Sequence, residues 1–461
     1  MEFGSLEFII IFLPVVLLAY HFLLGLGRAG SLLSKLFLFG ISVWYYYSLG
    51  GNYIFVLVEL MLINFIVGLC IRFIKNKNKP VIKGIVLWLG ILVDIGTLCF
   101  FRIYEGVSPV GLSFFAFTQI AYIIDVYRDE TTACKSVVSY LTYSMMFPKI
   151  VQGPVTRYEN FRNKLKGRRI SLRKFDRALK LFILGLAMKV IVADNIGILW
   201  NDLKMIGYES ISTPLAWLGM AVYSLQLYYD FAGYSLMAMG LGGMMGFSLP
   251  VNFDTPYASS SISEFYRRWH MTLGQWFKDY IYIPLGGNRK GTIRTVFNLF
   301  VVWLLTGLWH GITLNFIIWG LSLFFFIALE KLFLMKVIRK LRKNLLTRII
   351  PHLYVLFVIP LTWMVFAISD IKILGVYMTR LFPFLPHDYM SNVNPGDFMR
   401  YITKYGWVLG IAVLFSFPKV HRFMIVLRRR KWSFIIYLAM LMAAMYFVAA
   451  GTGNGFMYAV F

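Results

Sequence analysis

The sequence predicts an all-α polytopic membrane protein of about ten to twelve transmembrane helices plus one or two re-entrant segments. Three observations carry that prediction: a composition too apolar for a soluble globule, long apolar runs from end to end, and basic residues gathered in short connections. Of 461 residues, 59% are hydrophobic, 18% aromatic and 15% charged, whereas soluble domains carry about 25% charged and roughly 45–50% apolar residues. Runs such as Leu6 to Leu26 and Ile312 to Leu334 are long enough to cross a ~30 Å hydrocarbon core, which takes about 20 helical residues. The first run reads as a span rather than a cleavable signal, because it carries Glu2 and Glu7, lacks a basic start and precedes no small-residue cleavage site.

The formal charge of +25 comes from 46 Lys and Arg against 21 Asp and Glu. In a soluble chain that excess points to nucleic acid. Here the basic residues sit in short loops between spans, so orientation and contact with anionic membrane lipid account for them and no nucleic-acid partner is expected. Cys70, Cys99 and Cys134 lie in or beside apolar runs without paired spacing, which predicts neither a disulfide framework nor a metal site.

Basic loops then order the chain. Arg28 and Lys35 follow the first span, the second ends in the uncharged Gly50 to Asn52, and Arg72 to Lys83 follows the third, which places the N-terminus outside. The fourth span runs from about Lys83 to Phe101 and the fifth from about Pro109 to Tyr127. Val137 to Val151 is short and broken by Pro148, Gly153 and Pro154, and the loop after it carries Lys164, Lys166, Arg168, Arg169, Arg173 and Lys174. A re-entrant segment fits better than a crossing, and non-helical backbone at membrane depth implies a cavity around it. Phe175 to Trp200 leads out and Leu215 to Met239 back. Pro250 to Lys290 lies on or dips from the cytoplasmic side. The segments Thr295 to His310 and Ile312 to Phe333 are separated by Gly311 alone, so the pair either crosses twice or turns inside the membrane. The basic cluster Lys336 to Arg348 follows. Leu353 to Ser369 leads out to a loop rich in Pro, Asn and Asp that ends near Asp397, and Tyr405 to Phe417 returns to Arg428 to Lys431. The last span leaves the C-terminus outside.

Two of the six histidines sit in unusual company: His270 within Tyr266-Arg-Arg-Trp-His-Met-Thr-Leu-Gly-Gln-Trp276, and His310 within Leu305-Thr-Gly-Leu-Trp-His-Gly311. An ionisable group at membrane depth is a functional-site hypothesis by default. His310 closes an uncharged apolar run, and Gly311 beside it removes bulk and opens room for a substrate. A neutral imidazole there can take a proton from a hydroxyl. The plainer alternative is that His310 hydrogen-bonds a neighbouring helix. Asp230 stands among Tyr228, Tyr229 and Tyr234, where it either pairs with Arg267 or Arg268 or faces a polar cavity. The stretch Asn252 to Tyr257 and serines 259, 260, 261 and 263 read as a loop entering a helix, with Ser263 starting a capping pattern and the serines as hydrogen-bonders rather than nucleophiles. Pro284-Leu-Gly-Gly-Asn-Arg289 matches neither the P-loop nor the dinucleotide pattern. His21, His352, His387 and His421 read as structural.

Together, Pro109-Val-Gly-Leu-Ser-Phe-Phe115, Gln152-Gly-Pro154, Tyr229-Asp-Phe-Ala-Gly-Tyr234, Asn252-Phe, Arg267-Arg-Trp-His270, Tyr282-Ile-Pro-Leu-Gly-Gly-Asn-Arg289 and Leu308-Trp-His-Gly311 resemble the membrane-bound O-acyltransferase family, in order along the chain. The Pro-Leu-Gly-Gly-Asn-Arg stretch and the ending Gly455-Phe-Met-Tyr-Ala-Val-Phe461 look closer to the alginate O-acetyltransferase branch than to the teichoic acid D-alanyl transfer branch, although Met457 and Ala459 depart from the residues usual there. The resemblance implies one integral membrane acyltransferase domain over residues 1–461, with a motif-bearing core at about 109–311, C-terminal spans over 312–461 and a central tunnel.

In that reading His310 is catalytic and His270 its partner, orienting the thioester or stabilising the oxyanion. Trp309, Trp269, Arg268, Asp230 and Asn252 are the substrate-binding positions. No cofactor is tightly bound and no metal is needed. The donor is acetyl-CoA or another acyl thioester arriving from the cytoplasm. The partner outside is an exported acyltransferase or a small carrier, and the setting is a bacterial cell membrane. Two other classes compete: a transporter or flippase, which predicts related halves with matching broken segments, and a non-catalytic scaffold of a polysaccharide synthase complex, which tolerates His310→Ala.

Overall fold

The computed structural model describes residues 2–77, 79–103, 109–166, 170–344, 346–386, 393–451 and 455–457, and every regular element among them is helical. Arg168, Arg169, His387 and the tail from Tyr458 to Phe461 lie outside the described residues. Among the described residues, seven helical stretches are long and apolar enough to cross a membrane: Glu7–Leu24, Ala29–Lys75, Pro80–Ile103, Leu172–Ile206, Gly291–His310, Leu314–Lys343 and Ile350–Ala367. The pair Asp397–Ser416 and Pro418–Leu427, bent by 83°, makes an eighth if it counts as one span.

The expected ten to twelve exceed this number for physical reasons. Ala29–Lys75 consists of two helices, Gly27–Gly50 and Ile54–Asn76, joined where Gly51 adopts a left-handed backbone (φ 56°). Leu112–Tyr127 and Phe434–Ala449 are apolar but only 16 residues long. Thr213–Met244, at 32 residues, is long enough, yet its Tyr, Ser, Gln and Asp230 side chains dilute its apolarity, and most of them are buried. It is an inner helix rather than a lipid-facing one. The same contrast separates Leu172–Ile206, 89% buried over its apolar window, from Pro80–Ile103, 28% buried, whose Trp88, Leu89 and Leu92 are exposed.

Contacts gather the chain into two compact units, each assembled from separate stretches. The first comprises Met1–Leu186, Gly233–Val251 and Lys431–Phe461. Its core holds the rings of Phe3, Phe8, Phe12, Tyr45 and Phe147. The segment expected to be re-entrant is broken here: helix Val137–Met145, capped by Ser136, ends at Met146, and a single turn, Phe147–Ile150, carries Pro148. Neither piece is long enough to cross. Gly111 (φ 71°) abuts this turn so closely that a Cβ would lie 2.3 Å from the Ile150 carbonyl oxygen.

The second unit comprises Ala187–Ala232 and Asn252–Arg430. Between Leu353 to Ser369 and Asp397, where the sequence reads as loop alone, a helix Ile371–Leu381 forms, and the Asp370 carboxylate accepts from the Lys372 and Ile373 N–H groups at its start. All the residues expected to carry chemistry fall in this unit.

Candidate active site

Hydrogen bonds hold His270 from both sides. It sits between helices Ile262–Arg268 and Met271–Phe277 in a left-handed conformation (φ 45°, ψ 51°), which costs a non-glycine residue on the order of 1 kcal/mol and persists where the surroundings over-determine it. They do: the Asp254 N–H donates to the Arg268 carbonyl and the Met271 N–H to the Asn252 carbonyl, each at 2.9 Å. Asn252 Oδ1 accepts from the Thr272 N–H at 3.2 Å and the Thr272 hydroxyl at 3.0 Å. A backbone N–H can only donate, so this atom is the amide oxygen. His270 Nδ1, 3.1 Å away, must then donate to it. The neutral ring accordingly presents Nε2 as an acceptor, and burial pushes the imidazole down to about 3, so it is neutral at physiological pH.

His310 is the last residue of helix Gly291–His310 and is 6% exposed. Four rings surround it, with centroids at 4.3 Å (Trp309), 4.9 Å (Phe366), 5.1 Å (Trp319) and 6.0 Å (Phe316). The room that Gly311 opens is not vacant. A Cβ there would meet the Phe316 ring at 2.4 Å, so the small residue admits Phe316 against the imidazole instead of leaving space for a ligand.

Trp309 brings the two histidines together, its ring 4.3 Å from His310 and 6.4 Å from His270. A second path of rings runs from Trp269 through Trp363 (5.1 Å) and Trp319 (5.8 Å) to His310 (5.1 Å). Thus His270, His310, Trp309, Trp269 and Asn252 form one constellation, mostly buried.

Asp230 belongs to a different arrangement from the one expected. Its carboxylate pairs with neither Arg267 nor Arg268 but with Lys189 at 2.8 Å, and Lys189 also pairs with Asp194 at 2.5 Å. All three side chains are nearly sealed from solvent. The spacing of Lys189 and Asp194 is awkward for an α-helix, but the chain forms a π-helical turn over Met188–Ala193, whose larger number of residues per turn brings residues five apart closer to one face. Asn195 Nδ2 donates to the Val190 and Ile191 carbonyls of that turn. The next residue, Phe231, sets its ring edge-on to His270 at 4.7 Å, so the ion cluster anchors the helix that packs the histidine. Arg268 instead bonds Glu264 one turn earlier at 2.8 Å and stays partly exposed, and Arg267 is exposed.

The cap of helix Ile262–Arg268 also differs from expectation. Ser261, not Ser263, accepts from the Glu264 N–H, and Glu264 reaches back to the Ser260 N–H and hydroxyl. Glu330, fully buried, adds its carboxylate to the same helix start, accepting from the Ile262 N–H, the Ser263 N–H (2.9 Å) and the Ser263 hydroxyl (2.6 Å). The turn at Gly286 and Gly287 is closed by Arg294 and Asn298, which donate to the Leu285 and Gly287 carbonyls. His21 and His352 lie at 3.0 Å from backbone carbonyls, of Met244 and Ser259.

Fold and site define a class first: a multi-pass, all-helical membrane protein whose buried site joins two histidines through tryptophan rings. The chain belongs to the membrane-bound O-acyltransferase family, whose profile matches residues 111–346. It is 37% identical over 338 residues to a probable alginate O-acetylase of Pseudomonas fluorescens, an alignment covering 72% of this chain and 66% of that one. A peptidoglycan O-acetyltransferase of Helicobacter pylori is 32% identical over 365 residues (69% and 68%), and a teichoic acid D-alanyltransferase of Streptococcus thermophilus is 30% identical over 232 residues (46% and 54%). The chain thus spans just under two thirds of the alginate O-acetylase. His270, His310, Asp230 and Asn252 all fall within the matched residues.

Proposed function

We propose that this protein moves an acetyl group from a cytosolic acyl thioester, such as acetyl-CoA, across a bacterial cell membrane for O-acetylation of an extracellular polysaccharide. The observation that carries the reading is the pair of buried histidines flanking Trp309, in a chain similar to a probable alginate O-acetylase and a peptidoglycan O-acetyltransferase. His310 acts as general base. It takes the proton of an acceptor hydroxyl as the oxygen attacks the thioester carbonyl, and returns it to the departing thiolate, so ester and thiol are the products. Of the two roles open to His270, the tautomer imposed by Asn252 favours orientation: a neutral ring with Nε2 as acceptor positions an O–H or N–H of substrate, whereas oxyanion stabilisation needs a donor.

The acceptor hydroxyl belongs to an exported acyltransferase or a small carrier on the outer side, which finishes transfer to the polymer. In this reading both termini lie outside, the basic loops meet anionic lipid on the cytoplasmic side, and Trp309, Trp269 and Asn252 line the substrate. Arg268 and Asp230, tied up in ion pairs, act on substrate through the elements they hold.

The test is acyl incorporation into cell-surface polymer with the intact chain, His310→Ala or His270→Ala at matched membrane levels, with the added mass identified. Loss of incorporation of an acetyl group supports the reading, and a D-alanyl group would replace the donor. Undiminished incorporation in His310→Ala sinks the assignment of the base and revives the scaffold.

A further inference from the structure

One acid that acyl transfer leaves unused lies in the first compact unit, midway along the apolar helix Pro80–Ile103 and ahead of the family-matched residues. Asp94 is fully buried, and so is Asn64 on the neighbouring helix Ile54–Asn76. Asn64 Nδ2 donates to Asp94 Oδ1 at 2.8 Å and to the Leu60 carbonyl at 2.9 Å. Both amide protons are thereby used, and the other amide atom is fixed as oxygen. Two acceptors remain, Asp94 Oδ2 and Asn64 Oδ1, and neither has a donor among the described residues.

Among the described residues the surroundings offer no compensating charge. From helix Val137–Met145 the phenol of Tyr140 approaches Asp94, and its hydroxyl is already given to Gln119 Oε1 of helix Leu112–Tyr127. On Ile54–Asn76 the other acid is Glu59, which is exposed and lines an outer groove of about 480 Å³ with Leu60, Val93 and Thr97. Among the described residues no Lys, Arg or His pairs with Asp94. An ionised carboxylate here would carry a bare charge in a low-dielectric interior, which a protein avoids by neutralising the group.

We propose that Asp94 and Asn64 form a proton-binding site inside the membrane domain. The acid proton resides on Asp94 Oδ2 and is donated to Asn64 Oδ1, while Asn64 Nδ2 donates to Asp94 Oδ1, closing a cyclic acid–amide pair. One proton satisfies both remaining acceptors and removes the charge. A monovalent metal cation would also cancel the charge, but the Asp94 and Asn64 side chains are already partly committed to each other and the Tyr140 hydroxyl to Gln119. The site is independent of the acyl-transfer reading, because it involves no residue of the histidine constellation.

The test uses the full chain in lipid nanodiscs, with infrared spectra recorded on protein containing isotopically labelled aspartate. The expected result is a carboxylic-acid C=O stretch that shifts with the label, is missing from Asp94→Asn, persists through neutral pH, and is indifferent to Na⁺ or K⁺ at fixed pH. Asp94→Asn should keep the elution profile of the intact chain, since an amide copies the shape of the protonated acid. A labelled wild-type spectrum showing only carboxylate bands overturns the proposal. A C=O band removed by Na⁺ at constant pH overturns it in favour of a cation site.

Discussion

His270 and His310 are equally buried, yet different forces hold them. Around His270 the chain spends hydrogen bonds: two backbone links to residues 252–254, and an amide oxygen that dictates which ring nitrogen carries the proton. Around His310 the rings of Trp309, Phe366, Trp319 and Phe316 pack the imidazole, where His270 meets Phe231 edge-on. Under the proposed function this difference matches a division of labour. In the proposed reaction the general base, His310, changes protonation among packed rings. A ring held by a dictated tautomer is suited to positioning.

The widest separation between the two should come from His310→Ala, expected to lower the initial rate of acyl transfer by about 10²–10⁴-fold, the usual contribution of a general base. Labelled acyl incorporation at matched protein level reads it, and a loss below tenfold would merge the two roles. Next is Lys189→Met, which strands two buried carboxylates and should cost about 3–5 kcal/mol of stability. Thermal unfolding in detergent measures it, with Lys189→Arg recovering part of the loss. A neutral outcome would mean that Asp230 does not anchor the helix bearing Phe231.

Asn252→Ala sharpens the comparison on the hydrogen-bonded side. Loss of a buried acceptor shared by His270 and Thr272 should cost about 1–3 kcal/mol and redistribute the proton between the His270 nitrogens, which nitrogen NMR of labelled histidine detects. The smallest effect is in the pH dependence. His270 is neutral in the fold down to about 3, whereas an unfolded histidine binds a proton near 6.5. The unfolded chain therefore gains protons first as pH falls, and stability drops below about pH 6.5. At pH 5 this amounts to about 2 kcal/mol at 1.36 kcal/mol per unit, and His270→Gln should remove that part of the acid sensitivity.

Much of this was legible in sequence because hydrocarbon imposes few solutions. Apolar runs mark helices, and Pro148 marks a break. What escaped was set by tertiary choice. Asp230 had two nearby arginines in view, but its partner is Lys189, forty-one residues earlier, which also pairs with Asp194 across a π-helical turn. The charges inside an apolar run were the available signal for that cluster, whereas the geometry was not. Trp319, Trp363 and Phe366 looked like ordinary span residues, since nothing local shows that they converge on His310. Gly311 was read as open space because a sequence shows the missing side chain but not the Phe316 that fills the gap.

Glu330 has a mechanical consequence. Its carboxylate grips the start of helix Ile262–Arg268, which ends two residues before His270, and five residues further along its own chain begins the basic helix Met335–Lys343. A pull on that basic helix is therefore a pull on the latch at the far end of the histidine's helix. Sliding the Glu330 turn by a few ångströms would strip its acceptors from the Ile262 and Ser263 N–H groups and leave Ser261 alone to cap that helix start. Through one carboxylate, a surface rich in positive charge and a buried imidazole share a single lever arm.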